Sequence, residues 1–197
     1  MQTVGIDEVG RGCWAGPLVA GAVVLARPIP GLKDSKKLSK LQRERLAKII
    51  QEQAVAIGLG WVWPADIDSG GITAAVKSAM QQALAAINTD YDQVIIDGNI
   101  NYLSDIANLR GPSSEVKVTA VVKADDLFPC VSAASIVAKV ARDQYMETVA
   151  AEYPGYGFEQ HVGYGTALHI ARLKTLGVTT IHRRSYKPIQ ALLGVQI

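Results

Sequence analysis

The sequence predicts an α/β fold, a mixed β-sheet flanked by helices with a small C-terminal helical appendage. Strand-like runs cluster early, helical stripes alternate with later strand-like runs, and the final third reads as helix and loop. Val4 and Ile6 alternate with smaller residues before Asp7, and Leu18 to Leu25 is rich in Val, Ala and Leu, so two adjacent strands joined by a glycine-rich turn open the chain. Ser39 followed by Gln42 forms a capping box, and Leu46, Ile49 and Ile50 make an apolar stripe on the basic helix behind it. Ala54 to Trp63 is a third strand. Ile72, Ala75, Val76, Ala79, Met80, Ala83, Leu84 and Ile87 recur at helical spacing and mark a core-facing helix. Val94 to Ile96 is a short buried strand ending at Asp97-Gly98, and Lys117 to Val122 is another, leading into Lys123 and Asp125. Pro129 suits a helix start, and Ala134, Val137, Ala138, Ala141, Tyr145 and Val149 continue its face until Pro154. A Tyr/Gly/His-rich loop follows, then a helix from Thr166 to Leu176 stopped by Gly177, a basic segment and a short closing helix.

With 197 residues, 49% of them hydrophobic, the chain can bury one full core, so a single domain over 1–197 is expected. A formal charge of +2 and a pI near 8.5 fit a nucleic-acid partner and many metabolic enzymes alike. Its distribution says more. Lys33, Lys36, Lys37, Lys40, Arg43 and Arg45 cluster early, and His182, Arg183, Arg184 and Lys187 cluster late; each group reads either as a solvated face or as a contact for phosphates. Two cysteines, Cys13 and Cys130, are too few for a disulfide framework and lack metal-ligand spacing, which points to a reducing, cytoplasmic setting. The apolar stretch from Ala15 to Ala26 is preceded by Asp7, Glu8 and Arg11 and broken by Gly16, Pro17 and Gly21, so it reads as a buried strand and not as a signal peptide or a membrane span.

The chemistry concentrates in carboxylates. Asp7 and Glu8 are consecutive acids at a strand end before Gly10-Arg11-Gly12, and adjacent carboxylates there repel unless a cation offsets them. Hard divalent cations such as Mg²⁺ and Mn²⁺ prefer carboxylate and water oxygens, and Asp97 and Asp125, also at strand ends, would complete a four-carboxylate cluster. Taken singly, each acid is more often a turn residue or helix cap. Two cations about 4 Å apart can drive phosphoryl transfer with no nucleophilic side chain. The sequence agrees, having no GxSxG, P-loop or HExxH motif and only scattered histidines, His161, His169 and His182.

Asp7-Glu8-Val9-Gly10-Arg11-Gly12 resembles the signature of the bacterial ribonuclease HII family. Further blocks match in order: Asp34 to Ser39, Ile96-Asp97-Gly98, Lys123-Ala124-Asp125, Ser132 to Ile136 with Lys139, Arg142 and Asp143, Tyr153 to Phe158, His161, Gly163 to Thr166, and His182-Arg183. The resemblance runs from Gly5 to about Pro188. Departures occur at Cys13-Trp14, where the family usually has a Pro-Leu-like pair, at Val162 for lysine, at Ala124 for glycine, and at Asp126, an atypical second acid beside Asp125.

The resemblance implies a ribonuclease H-like fold in which about 1–153 forms the catalytic core and about 154–197 a helical substrate-binding segment. It implies that Asp7, Glu8, Asp97 and Asp125 hold catalytic Mn²⁺ or Mg²⁺, and that Gly10, Arg11 and Gly12 surround the ribose 2′-OH. Tyr164 would stack near the RNA–DNA junction, and Lys36, Lys37, Ser132 and Ser135 would contact phosphates, with helix capping an equally good reading of the two serines. Losing the family lysine at Val162 would weaken a phosphate contact. The implied activity is cleavage of the RNA strand of RNA–DNA hybrids and of duplex DNA containing ribonucleotides, 5′ of the ribonucleotide, by a monomer that removes misincorporated ribonucleotides. Two readings compete: a catalytically silent hybrid-binding module, disfavoured because four acids without a cation are costly to bury, and a nuclease acting on DNA, disfavoured by Gly10-Arg11-Gly12.

Overall fold

The structure, a computed structural model, describes residues 2–104 and 116–194. The expected mixed sheet forms. Strand β1 (Thr3–Val9) pairs antiparallel with β2 (Leu18–Leu25), and β2 pairs antiparallel with β3 (Ala54–Val62). On its other side β1 runs parallel to β4 (Gln93–Asp97), which runs parallel to β5 (Lys117–Val121), giving the order β3-β2-β1-β4-β5. The Ser39–Gln42 capping box opens helix α1 (Lys40–Gln53) as expected.

Strand alternation assigns the two faces of the sheet. Val4 and Ile6 of β1, Ala20 and Ala22 of β2, and Val94 and Ile96 of β4 pack against helix α2 (Pro64–Ala85), which contributes Ala75, Val76, Ala79, Met80 and Ala83. This helix begins earlier than the stripe starting at Ile72 suggests, because Pro64 sits in its first turn, and it breaks helical geometry at Gly71, where φ is 77°. The opposite face meets α1 and the long helix α4 (Pro129–Ala150), which follows the short α3 (Ala124–Leu127). Gly5 and Gly21 belong to this second face and let α4 come unusually close. A Cβ on Gly5 would lie 2.3 Å from the Cys130 carbonyl carbon, and one on Gly21 would lie 2.5 Å from the Ala134 oxygen.

The C-terminal segment wraps the far end of α4. It adds α5 (Phe158–His161), a short helix inside the expected loop, then α6 (Ala167–Leu176), capped by Thr166, and α7 (Lys187–Leu192). Met146 and Val149 of α4 join Tyr156, Phe158, Leu173 and Ile189 in one apolar cluster. Tyr153 and Tyr156 pack within the loop, and the Tyr156 hydroxyl donates to the carbonyls of Leu176 and Gly177. The late basic group is not a uniform solvated face: His182 and Arg183 are buried. Cys13 and Cys130 are both buried free thiols, and no helix among the described residues is long and apolar enough to cross a membrane.

Close approach of α4 to β1 makes Gly5→Ala costly. The added methyl meets backbone and not a movable side chain, so urea denaturation should show a loss of about 2 kcal/mol or more, with far-UV circular dichroism unchanged before the transition.

Candidate active site

Register brings the acids together. The parallel pairing of Ile6 with Ile96 sets Asp7 and Asp97 side by side on adjacent strands, and alternation turns both toward α4. After β5, Lys123 adopts a left-handed conformation (φ 59°) and swings the chain into α3, where Asp125 lies in the first turn. Asp125 is therefore carried by a helix, not by a strand end as the sequence suggests, and Asp7 and Glu8 lie within β1. One carboxylate oxygen of Asp97 accepts from the Ala124 N–H at 2.8 Å, tying β4 to that turn. Carboxylate oxygens of Asp7, Asp97 and Asp125 lie within 4.8 Å of one another.

Glu8 takes the opposite parity of β1. It lines the same cleft but stands outside that three-acid group, 3.3 Å from the Arg11 guanidinium. Asp126, the atypical neighbour of Asp125, is turned away and pairs with Lys37 at 2.5 and 2.7 Å.

The electrostatics of the cluster call for a positive charge. Burial pushes the Asp7 carboxyl up to about 8, the charge of Glu8 adds to the rise, the Ser135 hydroxyl partly offsets it, and Asp97 raises it further. Burial also raises Glu8, against the lowering effect of Arg11, and raises Asp125, with Asp97 adding to it. An all-oxygen donor set with unbalanced negative charge suits a hard divalent cation.

Beside the acids a cleft of about 270 Å³ is lined by Gly10, Arg11, Gly12, Lys36, Ser135 and Tyr164. The two glycines of the turn differ in what they do. Gly10 has φ +91°, and a Cβ there would sit 2.5 Å from the Arg142 side chain, so the fold itself requires it. A Cβ on Gly12 would meet no atom of the described residues within 4 Å. Among the described residues nothing explains that glycine, and the backbone N–H groups of Arg11 and Gly12 donate to no protein acceptor. Both facts suit close approach of a ligand.

Other sites named from sequence fall near the cleft with differing engagement. Lys36 is exposed on its rim, in a 3₁₀ turn capped by Asp34, while Lys37 is occupied by Asp126. The Ser135 hydroxyl bonds that of Ser35 at 2.9 Å and faces the cleft. Ser132 is buried, and its hydroxyl donates to the Asp125 carbonyl, so it secures the Asp125 turn. Tyr164 is half-exposed, with Lys139 Nζ 5.6 Å and Arg142 Cζ 6.0 Å from its ring centroid. Burial and the neighbouring Cys13 push its hydroxyl up to about 12, which keeps it protonated. The Tyr164 carbonyl accepts from His169 Nδ1 at 2.9 Å, and His169 Nε2 lies 3.1 Å from His182 Nε2; burial depresses both histidines to about 4, so they are neutral supports. Val162 packs into the C-terminal apolar cluster at φ 44°, and its carbonyl accepts from Arg142. Sequence reasoning gave no individual role to Ser35, Arg43 and Lys139, which also line the cleft. Arg43 and Lys139 converge on Asp143, at 3.9 and 2.7 Å; Lys139 and Asp143 form an i,i+4 pair within α4, whereas Arg43 reaches Asp143 from α1, which spacing alone cannot reveal.

The ribonuclease HII family model matches residues 4–189. The chain is 46% identical over 194 residues to the ribonuclease HII of Nitrosococcus oceani, spanning 98% of this chain and 92% of that protein. It is 46% identical over 193 residues to that of Halorhodospira halophila, spanning 97% and 94%. Its fold is similar to the crystal structure of the ribonuclease H2 from Pyrococcus horikoshii OT3, with a TM-score of 0.76, 27% identity and coverage of 98% and 97%. The expected ribonuclease H-like fold is thus the one observed.

The Asp7 shift has a defined sign. Between its ordinary value of 3.8 and about 8, the folded chain holds a proton that the unfolded chain has released, so Asp7 costs increasing stability as pH rises through that window. In EDTA, Asp7→Asn should raise the melting temperature more at pH 8 than at pH 5, contributions from His169 and His182 cancelling in the comparison. Calorimetry that finds no such pH-dependent gain would contradict the burial of an uncompensated acid.

Proposed function

Because the chain belongs to the ribonuclease HII family, we propose that it hydrolyses the RNA strand of RNA–DNA hybrids, cutting 5′ of ribonucleotides. Endoribonuclease activity of the ribonuclease H class comes with that membership. The finer reading covers single ribonucleotides embedded in duplex DNA and products with 3′-OH and 5′-phosphate ends. The convergence of Asp7, Asp97 and Asp125 beside a turn with unengaged N–H donors supports it best.

The proposed cofactor is a pair of divalent cations, Mn²⁺ or Mg²⁺, held by Asp7, Glu8, Asp97 and Asp125. When bound, such ions supply Lewis acidity at the scissile phosphate and offset charge on the leaving oxygen. The chain's own groups do the rest. Asp97 gives one oxygen to the Ala124 N–H, which fixes the orientation of the carboxylate. The N–H groups of Arg11 and Gly12 offer donors to the ribose 2′-OH, the group that separates RNA from DNA, and the bare Cα of Gly12 leaves room for the sugar. The Tyr164 ring, flanked by Lys139 and Arg142, presents a face to the next sugar, and its protonated hydroxyl remains a donor. Lys36 and Ser135 contact phosphates, as does Lys37 once it leaves Asp126, positioning the duplex without reading sequence, whereas Ser132 serves by holding Asp125. In this reading about 1–153 supplies the acids and about 154–197 supplies Tyr164 and its supports. The working unit is a monomer in the cytoplasm.

A duplex carrying one embedded ribonucleotide tests the reading. Wild type with Mn²⁺ or Mg²⁺ should nick it 5′ of the ribonucleotide, EDTA should stop the reaction, and an all-DNA duplex should survive. Asp7→Asn should cut at least about a thousandfold more slowly with its fold intact. Equal nicking by wild type and variant would reject the assignment, and tight binding without nicking would favour the silent hybrid-binding module.

A further inference from the structure

Arg183 is fully buried, yet among the described residues its hydrogen bonds go to no carboxylate. Its Nε and Nη2 donate to the Gly16 carbonyl at 3.1 and 3.0 Å, and Nη1 donates to the Arg11 carbonyl at 3.0 Å and to the Tyr186 hydroxyl oxygen at 2.9 Å. A guanidinium has no acceptor, so the phenol must accept from it, and the phenol's single proton is left for another partner. That partner is again the Arg11 carbonyl, at 2.5 Å. The Tyr186 ring also lies 5.3 Å from the guanidinium carbon, which fixes the pair to each other.

Two donors from the C-terminal segment thus converge on the middle residue of the Gly10-Arg11-Gly12 turn. Arg142 brackets the following residues, donating to the carbonyls of Ala15 and Pro17 at 3.0 and 2.8 Å. A turn with two glycines has little conformational preference of its own. This one has N–H groups open on one side and a carbonyl gripped on the other. Burying a cation with only neutral oxygens for partners is costly, and its position under this turn suggests what it is for.

We propose that Arg183 and Tyr186 are positioning residues that fix the Arg11 carbonyl and so hold the turn in the conformation that receives the ribose. The inference rests on the reading that the turn meets the 2′-OH. Affinity for the duplex comes mostly from phosphates, so loosening the turn acts on the aligned complex more than on binding.

The test uses Tyr186→Phe in the full chain, which deletes one donor and keeps the ring, beside Arg183→Lys and Gly12→Ala. With a duplex carrying one ribonucleotide and Mg²⁺, Tyr186→Phe should lower kcat about tenfold, leaving KM, the Kd for an all-DNA duplex of the same sequence and the melting temperature near wild type. Arg183→Lys should lower kcat further, because one ammonium cannot reach both carbonyls. A Tyr186→Phe kcat within about twofold of wild type, or a parallel loss of all-DNA binding and melting temperature, would overturn the proposal. Gly12→Ala separates the two levels: if it lowers kcat while Tyr186→Phe does not, the positioning role alone fails, and if neither lowers kcat, the ribose reading fails with it.

Discussion

Like charges held in one place by strand register are the constraint on which the rest of the molecule depends. Pairing of β1 with β4 leaves Asp7 no alternative to standing beside Asp97, and the left-handed turn at Lys123 adds Asp125 to the same point, within 4.8 Å. Carboxylates so placed repel, and in partly buried surroundings that repulsion is weakly screened. Burial is the main reason the Asp7 carboxyl rises to about 8, and the charges of Glu8 and Asp97 add to it. In the proposed reading a divalent ion would reverse the balance, and the same crowding would then become affinity for metal.

The surrounding architecture keeps that point fixed. Gly5 and Gly21 bring α4 against the sheet, which sets Ser135 beside Asp7 and Ser132 under Asp125. The C-terminal segment contributes along a second route. Arg183 and Tyr186 reach the turn at Arg11, and the neutral pair His169 and His182 supports the Tyr164 backbone. Helix α4, through Arg142, and the C-terminal segment, through Arg183, are both tied to the same short stretch between Arg11 and Pro17.

Periodicity made much of this legible. The alternation of Val4 and Ile6, the Ser39–Gln42 capping box, the stripe from Ala75 to Leu84 and the start at Pro129 are local signals, and each marks a real element. The ordered blocks named the acids. What the sequence left hidden is non-local. The parity that separates Glu8 from Asp7 matters only once α4 is known to cover one face of the sheet, and the turn that moves Asp125 from a strand end to a helix depends on one left-handed residue. Asp126, the second acid beside Asp125, is set apart from it by an ion pair with Lys37 that the sequence does not mark. Arg183 looked like part of a basic surface because a run of His, Arg and Arg carries no mark of burial, and only the chain fold turns one of them inward.

Metal binding at the acids is the point most directly open to measurement. Anomalous diffraction from crystals of the full chain soaked in Mn²⁺, recorded at the manganese edge, should show density bridged by Asp7, Asp97 and Asp125, and none there in Asp7→Asn crystals. Manganese found only elsewhere on the molecule, or three acids that stay unliganded at saturating Mn²⁺, would contradict the account.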